Sequence, residues 1–458
     1  MVLIRGAAGT GKTTMMQEAR AGIEEAGQRV FAFAPSAAAS RGVLRAEGFS
    51  SAETVARLLV DRNLQNDVRG SVLWIDEAGL LGTRTMSELF SLAEQLDARV
   101  VLSGDRRQHG SVARGAALRL LEEEAGLRPA EIKEIQRQKD EYKAAIKALS
   151  EERTEEGFRR LDDLGWIREV GDADRDRELA AAYVDTLQSG KTALVVSPTH
   201  AEGDRITAEI RRQLRERDLL GSEERSFLQL TPANLTLGER RDPANYASGD
   251  VLVFDQNARG YRRGQRLVVG EGPLPLDQAE RFSVFRPAEL ALSPGDRIRI
   301  SRGGSTADNA HRLNNGDVFT VKGFTNTGDI QLGNGWTIAR DFGHLAHGVV
   351  VTSHASQGKT VDRVFIGQSF WSFGASSREQ FYVSASRGRE QVVVFTDDKA
   401  TLMDAVSRSD ERLSGTELVQ DLQAARDRMA RDRVAEVARA AVASAVREHE
   451  RERMAYER

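Results

Sequence analysis

Eight residues near the start, GAAGTGKT from Gly6 to Thr13, carry the strongest chemical signal in the sequence. They fit the spacing G-x-x-x-x-G-K-[ST], with the apolar run Val2–Ile4 before them and a helix-like run from Thr14 to Ala26 after. Gly6, Gly9 and Gly11 let backbone N–H groups close around phosphate oxygens, and the helix N-terminus adds its dipole. Lys12 brings a cation to the outer phosphates, and the Thr13 hydroxyl is placed to ligate Mg²⁺, with Thr10 and Thr14 completing the cradle. ATP with Mg²⁺ is the expected ligand. A second signal is VLWIDEAG, where four apolar residues lead into Asp76 and Glu77. Ligands bind at such strand ends in open α/β sheets. Asp76 suits a metal-bound water, and Glu77 suits orienting and deprotonating an attacking water. Adjacent carboxylates after a strand are often mere surface, and the upstream glycine loop favours the chemical reading. In VVLSGDRRQHG, Gln108 either senses the γ-phosphate or belongs to a polar turn.

The triplet Gly358-Lys359-Thr360 echoes the end of the glycine loop. It is not a second phosphate loop, because the position that needs the first glycine is Ser353. The stretch TSHASQGKT reads instead as a loop facing the first site from elsewhere in the chain.

Other elements must hold these groups in place. A chain of 458 residues suggests about two to four domains. Residues 1–138 alternate short apolar strands (Val2–Ile4, Val30–Ala34, Val72–Ile75, Val100–Ser103) with amphipathic segments, the pattern of a parallel sheet with helices on both faces. Residues 139–190 read as a charged helical connector. A second α/β region starts at Ala193–Val196 and resumes at Val349–Val351, Val364–Ile366 and Val392–Phe395, giving parts at 191–239 and 344–415. Between them, 240–343 is glycine-rich with short strands and reads as one or two small inserted β-barrels. Residues 416–458 read as a charged helical tail.

The net charge of −4 gives no global basic field, so any nucleic-acid contact needs a local groove. With no cysteine there are no disulfides or thiolate metal sites. The seven histidines are scattered, and His344 and His347 lack companions for zinc. No apolar run approaches the ~20 residues of a membrane span, and no signal peptide precedes the first strand. A cytoplasmic protein is expected.

Taken in order, the glycine loop, DEAG, GDRRQ, QRQ, TSHASQGKT and YVSASRGR resemble the motifs of superfamily 1 helicases. The set looks like the 5′→3′ RecD-like branch, and more narrowly like the helicase region of TraI/TrwC-type conjugative relaxases, over roughly residues 1–400. The resemblance implies two RecA-like motor domains with an SH3-like β-barrel insertion. It implies a monomeric motor on single-stranded DNA, working in conjugative transfer or DNA processing with partner proteins of those pathways. It assigns Arg137 in IQRQ to the γ-phosphate and Arg387 in SASRGR to an arginine finger, roles that suit a permanently charged fork. It turns Gln357, Gly358 and Lys359 toward the nucleotide. It turns Pro35, Ser36 and Thr54 toward DNA from the first domain, and Thr352 and His354 from the second. A strand-ending turn with a helix cap explains Pro35-Ser36 equally, and an ordinary helical residue explains Thr54. Arg302, Arg312 and Asn315 of the insertion are DNA candidates or plain loop chemistry.

The chain begins just before the glycine loop, where the branch carries a helix and a glutamine motif for adenine; either this is a truncated module or the base is held by other means. The short gap between Leu59 and Ser71 leaves little room for a strand-splitting pin, which favours translocation over robust unwinding. The three-histidine metal site of a relaxase is missing, so nicking is not expected. Two other classes stay open: a small-molecule P-loop kinase, and an ATP-binding DNA module without unwinding activity.

Overall fold

The computed structural model describes residues 1–113, 115–411 and 419. The expected tail at 416–458 lies otherwise outside the described residues. Six parallel strands form the first sheet, in the order Glu53–Thr54, Val30–Ala34, Val72–Ile75, Arg99–Gly104, Val2–Gly6, Ala130–Ile132. The central strand Val72–Ile75 is buried throughout. Its alternating side chains feed two cores. Leu73 and Ile75 pack with Leu89 and Leu102 on one face, while Val72 and Trp74 pack with Met16 and Ala32 on the other. Trp74 meets its polar need inside the core by donating from Nε1 to Ser103 Oγ at 3.0 Å.

The second sheet has five parallel strands, ordered Val350–Val351, Ala193–Val196, Val361–Gln368, Gly388–Thr396, Ile167–Glu169. Its edge strand Ile167–Glu169 comes from the segment expected to be only a helical connector. Only Ile167 of that strand is buried, so its sequence has no apolar run to announce it.

Antiparallel pairing occupies the stretch between the two parts of this sheet. It begins at Arg225, ahead of the expected residue 240. Arg225–Pro232 zips against the long strand Phe282–Leu292 over eight residue pairs, from Phe285↔Pro232 to Leu292↔Arg225. A four-stranded sheet is built on this ribbon, and a five-stranded sheet follows, running from Arg297–Ile300 to Leu345–His347. Phe227, Leu290 and Leu292 of the ribbon also pack into the core of the five-stranded sheet. Among the described residues no helix is long and apolar enough to cross a membrane.

The antiparallel region is anchored to the second α/β part by an ion pair. Arg211, on the helix His200–Glu216, grips buried Asp296 with both arms, Nε to Oδ1 at 2.9 Å and Nη2 to Oδ2 at 2.8 Å. Asp296 Oδ2 also accepts from the Ser293 N–H at 2.7 Å. Glu224 holds the same guanidinium at 2.9 Å. Asp296→Ala is expected to destabilise the protein by about 3 kcal/mol, because it leaves a buried arginine with one partner and an N–H with none. Urea unfolding of the variant beside the parent protein checks this value.

Candidate functional site

The strand Val2–Gly6 delivers the chain to the glycine loop, and the helix Lys12–Glu25 leaves it. Gly9 (φ 78°) and Gly11 (φ 77°) take the left-handed backbone that the turn requires. A side chain at Gly9 would also come within 2.7 Å of Arg137 Cβ, so that glycine is where the QRQ segment closes on the loop. Gln136 N and Arg137 N both donate to Gly9 O, at 2.8 and 3.2 Å. No side chain caps the helix start, which leaves its N–H groups to an anion. Lys12 Nζ lies along the loop and donates to Gly6 O at 2.6 Å. Thr10 Oγ1 braces the turn by donating to Ala7 O at 2.9 Å. Thr13 is half-buried in the first helical turn, and Thr14 is exposed beside it.

Asp76 and Glu77 leave the end of the neighbouring strand. Ser103 Oγ donates to Asp76 Oδ1 at 2.9 Å. Burial, and then the Glu77 charge, push the Asp76 carboxyl up to about 6, while Lys12 and the Ser103 bond pull the other way. Two crowded carboxylates short of positive charge suit a hard cation. Glu77 sits at φ 51°, a left-handed conformation costly for a residue with a side chain. That backbone turns its carboxylate to the second half, where Gln357 Nε2 donates to Glu77 Oε2 at 2.9 Å.

Arg137 and Arg387 come to the same place from opposite halves. Arg137 Nη1 donates to Ser386 O at 2.8 Å, and Gln138 Nε2 donates to Ser386 O at 3.1 Å and Gly388 O at 2.5 Å. Arg387, only 3 % exposed, is held by Val383 O at 2.8 Å and Ser386 Oγ at 2.7 Å. Burial, and then Arg387, draw Arg137 down to about 10, and burial lowers Arg387 too. Two guanidiniums this close call for an anion between them.

Sequence reasoning missed Tyr382. This buried phenol on the helix Arg378–Ala385 accepts from the Ala8 N–H of the glycine loop at 2.8 Å and donates to Asp105 Oδ2 at 3.1 Å. Asp105 in turn takes Gln108 Nε2 at 3.4 Å, and Gln108 is buried. The hydroxyl therefore joins the phosphate loop, the Gln108 turn and the helix leading to Arg387. Only the YVSASRGR text hinted at it, and nothing local marks the tyrosine.

Thr352 caps the short helix Ser353–Ser356, its Oγ1 accepting from Ala355 N at 3.4 Å. Gly358 (φ 79°) follows Gln357. Burial, then Arg297 and Arg299, lower the Lys359 ammonium. His354 is exposed, with its ring against His109.

The remaining candidates lie along the other edge. Ser36 Oγ accepts from Ala39 N at 3.1 Å, and Thr54 Oγ1 from Arg57 N at 3.1 Å, so both are helix caps; Thr54 stands before its helix rather than inside it. Pro35 ends the strand Val30–Ala34. Arg41, Arg45 and Arg57 converge on Glu53 at 2.5–2.9 Å. Burial alone would raise this carboxyl, yet Arg41, with Arg57 and Arg45, holds it below its ordinary value. Arg41, Arg57, Arg62 and Arg312 line a cavity of about 650 Å³ beside Thr54. Across it Arg41 Nη1 donates to Asn314 Oδ1 at 3.1 Å, beside the exposed Asn315. Arg302 is engaged by Asp255 and lies over the Phe285 ring, 5.3 Å from its centre.

Comparison with known proteins agrees with this geometry. Residues 1–172 match a family model described as an AAA domain. The conjugal transfer protein TraA of Agrobacterium fabrum is 27% identical over 398 residues, covering 85% of this chain and 30% of TraA. The multifunctional conjugation protein TraI of Escherichia coli K12 is 23% identical, covering 89% of this chain and 27% of TraI. The chain thus spans about 30% of the length of the curated relatives it matches. Among solved structures, Bacteroides Pif1 bound to ssDNA superposes with a TM-score of 0.50 at 15% identity, covering 93% of this chain and 94% of that one. In fold the chain is similar to Pif1, and in sequence it is similar to the TraA and TraI conjugation proteins.

Proposed function

We propose that the chain is an ATP-driven motor that moves along single-stranded DNA, 5′→3′, and serves conjugative DNA transfer as part of a longer protein. The observation that carries the reading is the convergence of both α/β halves on one phosphate loop, through the bond from Gln357 to Glu77 and the pairing of Arg137 with the Ser386–Arg387 turn. A small-molecule kinase needs no second half at its phosphates. In the proposal, N–H groups of the glycine loop and Lys12 bind the phosphates. Thr13 and Asp76 would hold Mg²⁺, whose charge would offset that of the phosphates. Glu77 orients and deprotonates water, Gln108 reads the γ-phosphate, and Arg137 and Arg387 neutralise the charge that develops on it. Both halves then favour a closed cleft with ATP, and lose that preference on hydrolysis.

The strand itself would lie along Pro35, Ser36, Thr54, Thr352 and His354, with Arg41, Arg57, Arg62 and Arg312 on its phosphates. Such contacts tolerate any sequence. The antiparallel region is read as the SH3-like module of this branch. Its cavity of about 970 Å³, with Arg263, Arg266, Arg302 and Arg312 on its walls, suits a continuation of the strand.

The deciding measurement is ATP hydrolysis with and without single-stranded DNA. Strong stimulation is expected; hydrolysis indifferent to DNA points to a kinase-like enzyme, and DNA binding without hydrolysis to a module that has lost its motor. Lys12→Ala should abolish hydrolysis. Arg387→Ala should leave nucleotide binding largely intact and slow turnover about a thousandfold, the scale of an arginine finger; an unaffected rate removes Arg387 from that role. Tyr382→Phe keeps the ring and deletes two hydrogen bonds, so kcat should fall about tenfold to a hundredfold with little change in KM. An altered KM at full kcat would assign the phenol to binding instead.

A further inference from the structure

The helix Ser353–Ser356 is tied to the first half at both ends. At its exit Gln357 donates to Glu77. At its start Ser353 Oγ and His109 Nε2 share a hydrogen bond of 2.7 Å. His109 is 3 % exposed, and its ring lies flat on His354, with centroids 3.5 Å apart and planes 13° from parallel. It directly follows Gln108, whose backbone N–H and side chain both bond to Asp105, at 3.2 and 3.4 Å. Burial, then His354, hold His109 down to about 3, so the ring stays neutral at ordinary pH, with one nitrogen to donate and one to accept. None of this was legible from the motif GDRRQHG, and the proposed function gives His109 no task.

We propose that His109 is the joint coupling the two ligands, a positioning residue that carries the state of the DNA-facing residues Thr352 and His354 to the phosphate-facing Gln108 and Glu77. The inference rests on reading the chain as a DNA-stimulated ATPase. His109 itself touches neither ligand. A strand that engages Thr352 and His354 shifts the short helix behind them. The stacked, hydrogen-bonded imidazole passes that shift to the Gln108 turn, while Gln357 passes it to Glu77. Because coupling between binding sites is reciprocal, nucleotide changes DNA affinity by the same factor.

The test is the dissociation constant of a non-hydrolysable ATP analogue, measured with and without saturating oligo-dT. The parent protein should bind the analogue about tenfold more tightly with DNA, within the usual range of such couplings. His109→Leu should bind each ligand alone within about twofold of the parent, while the tenfold ratio collapses toward one. His109→Gln, which can still bond to Ser353, should recover part of the ratio. Should the leucine variant fail to fold, His109→Phe keeps a ring against His354 without the bond and should lose the ratio as well. A folded leucine or phenylalanine variant that keeps the full ratio, with only a lowered melting temperature, makes His109 a packing residue and overturns the proposal. A parent protein whose analogue affinity ignores DNA overturns the motor reading and this inference with it.

Discussion

The position of Arg387 in the site depends on one seam, where the backbone of Ala385–Gly388 docks on residues 137–142. Four hydrogen bonds close it: two from Gln138, one from Arg137, and one from the Tyr142 hydroxyl to Ala385 O at 2.6 Å. The acceptors are three backbone carbonyls at and just past the end of the helix Arg378–Ala385, and such carbonyls need partners when buried. The seam is also tight. A side chain at Gly388 would meet Gln391 O at 2.5 Å and the Tyr142 hydroxyl at 2.7 Å. Arg387 is therefore held by its backbone, and its side chain inherits a fixed origin. An arginine reaching from a mobile loop would have to order its chain anew for each cycle.

The contacts that hold the parts of the molecule together differ in kind. The buried hydrogen bonds between halves are specific in direction, each contributing about 0.5–1.5 kcal/mol between neutral groups and about 1.5–3 kcal/mol where Arg137, Glu77 or Asp105 takes part. The apolar cores run mostly within the halves, although Ala8 and Ile135 join the core of the second sheet. The buried Arg211–Asp296 pair, by contrast, lies between the second half and its own insertion. A buried two-armed ion pair thus fixes the insertion to one half, while hydrogen bonds and the ion pair Arg119–Glu411 join the two halves.

The amount of this that could be read in advance follows from range along the chain. The glycine loop, Asp76, Glu77 and Gln108 are legible because each motif is local and its strand is a plain apolar run. Arg137, Arg387 and Gln357 to Lys359 were reached only through the resemblance of a motif set. Tyr382, Gln138 and His109 escaped because their partners lie 374, 248 and 244 residues away, and nothing near a tyrosine or a histidine records so distant a neighbour. Boundaries failed for a related reason. The strand Arg225–Pro232 is only partly buried, and Ile167–Glu169 shows one buried residue in three, so neither has the pattern that marks a strand. The left-handed backbone of Glu77 has no signature either, since a glutamate there breaks the usual preference.

The edge strand Ile167–Glu169 bears on how the protein is made. The first sheet is complete in sequence by Ile132, whereas the second needs Ile167 at one end and Thr396 beside it, with the whole antiparallel region threaded between. Domains fold as units while the chain emerges from the ribosome, and pairings between distant strands come late. The phosphate loop is thus finished long before Arg387 has been synthesised. For that interval the nascent protein holds the glycine loop without Gln357, Tyr382 or Arg387 opposite it, so the order of synthesis itself keeps the site incomplete until the second sheet is made.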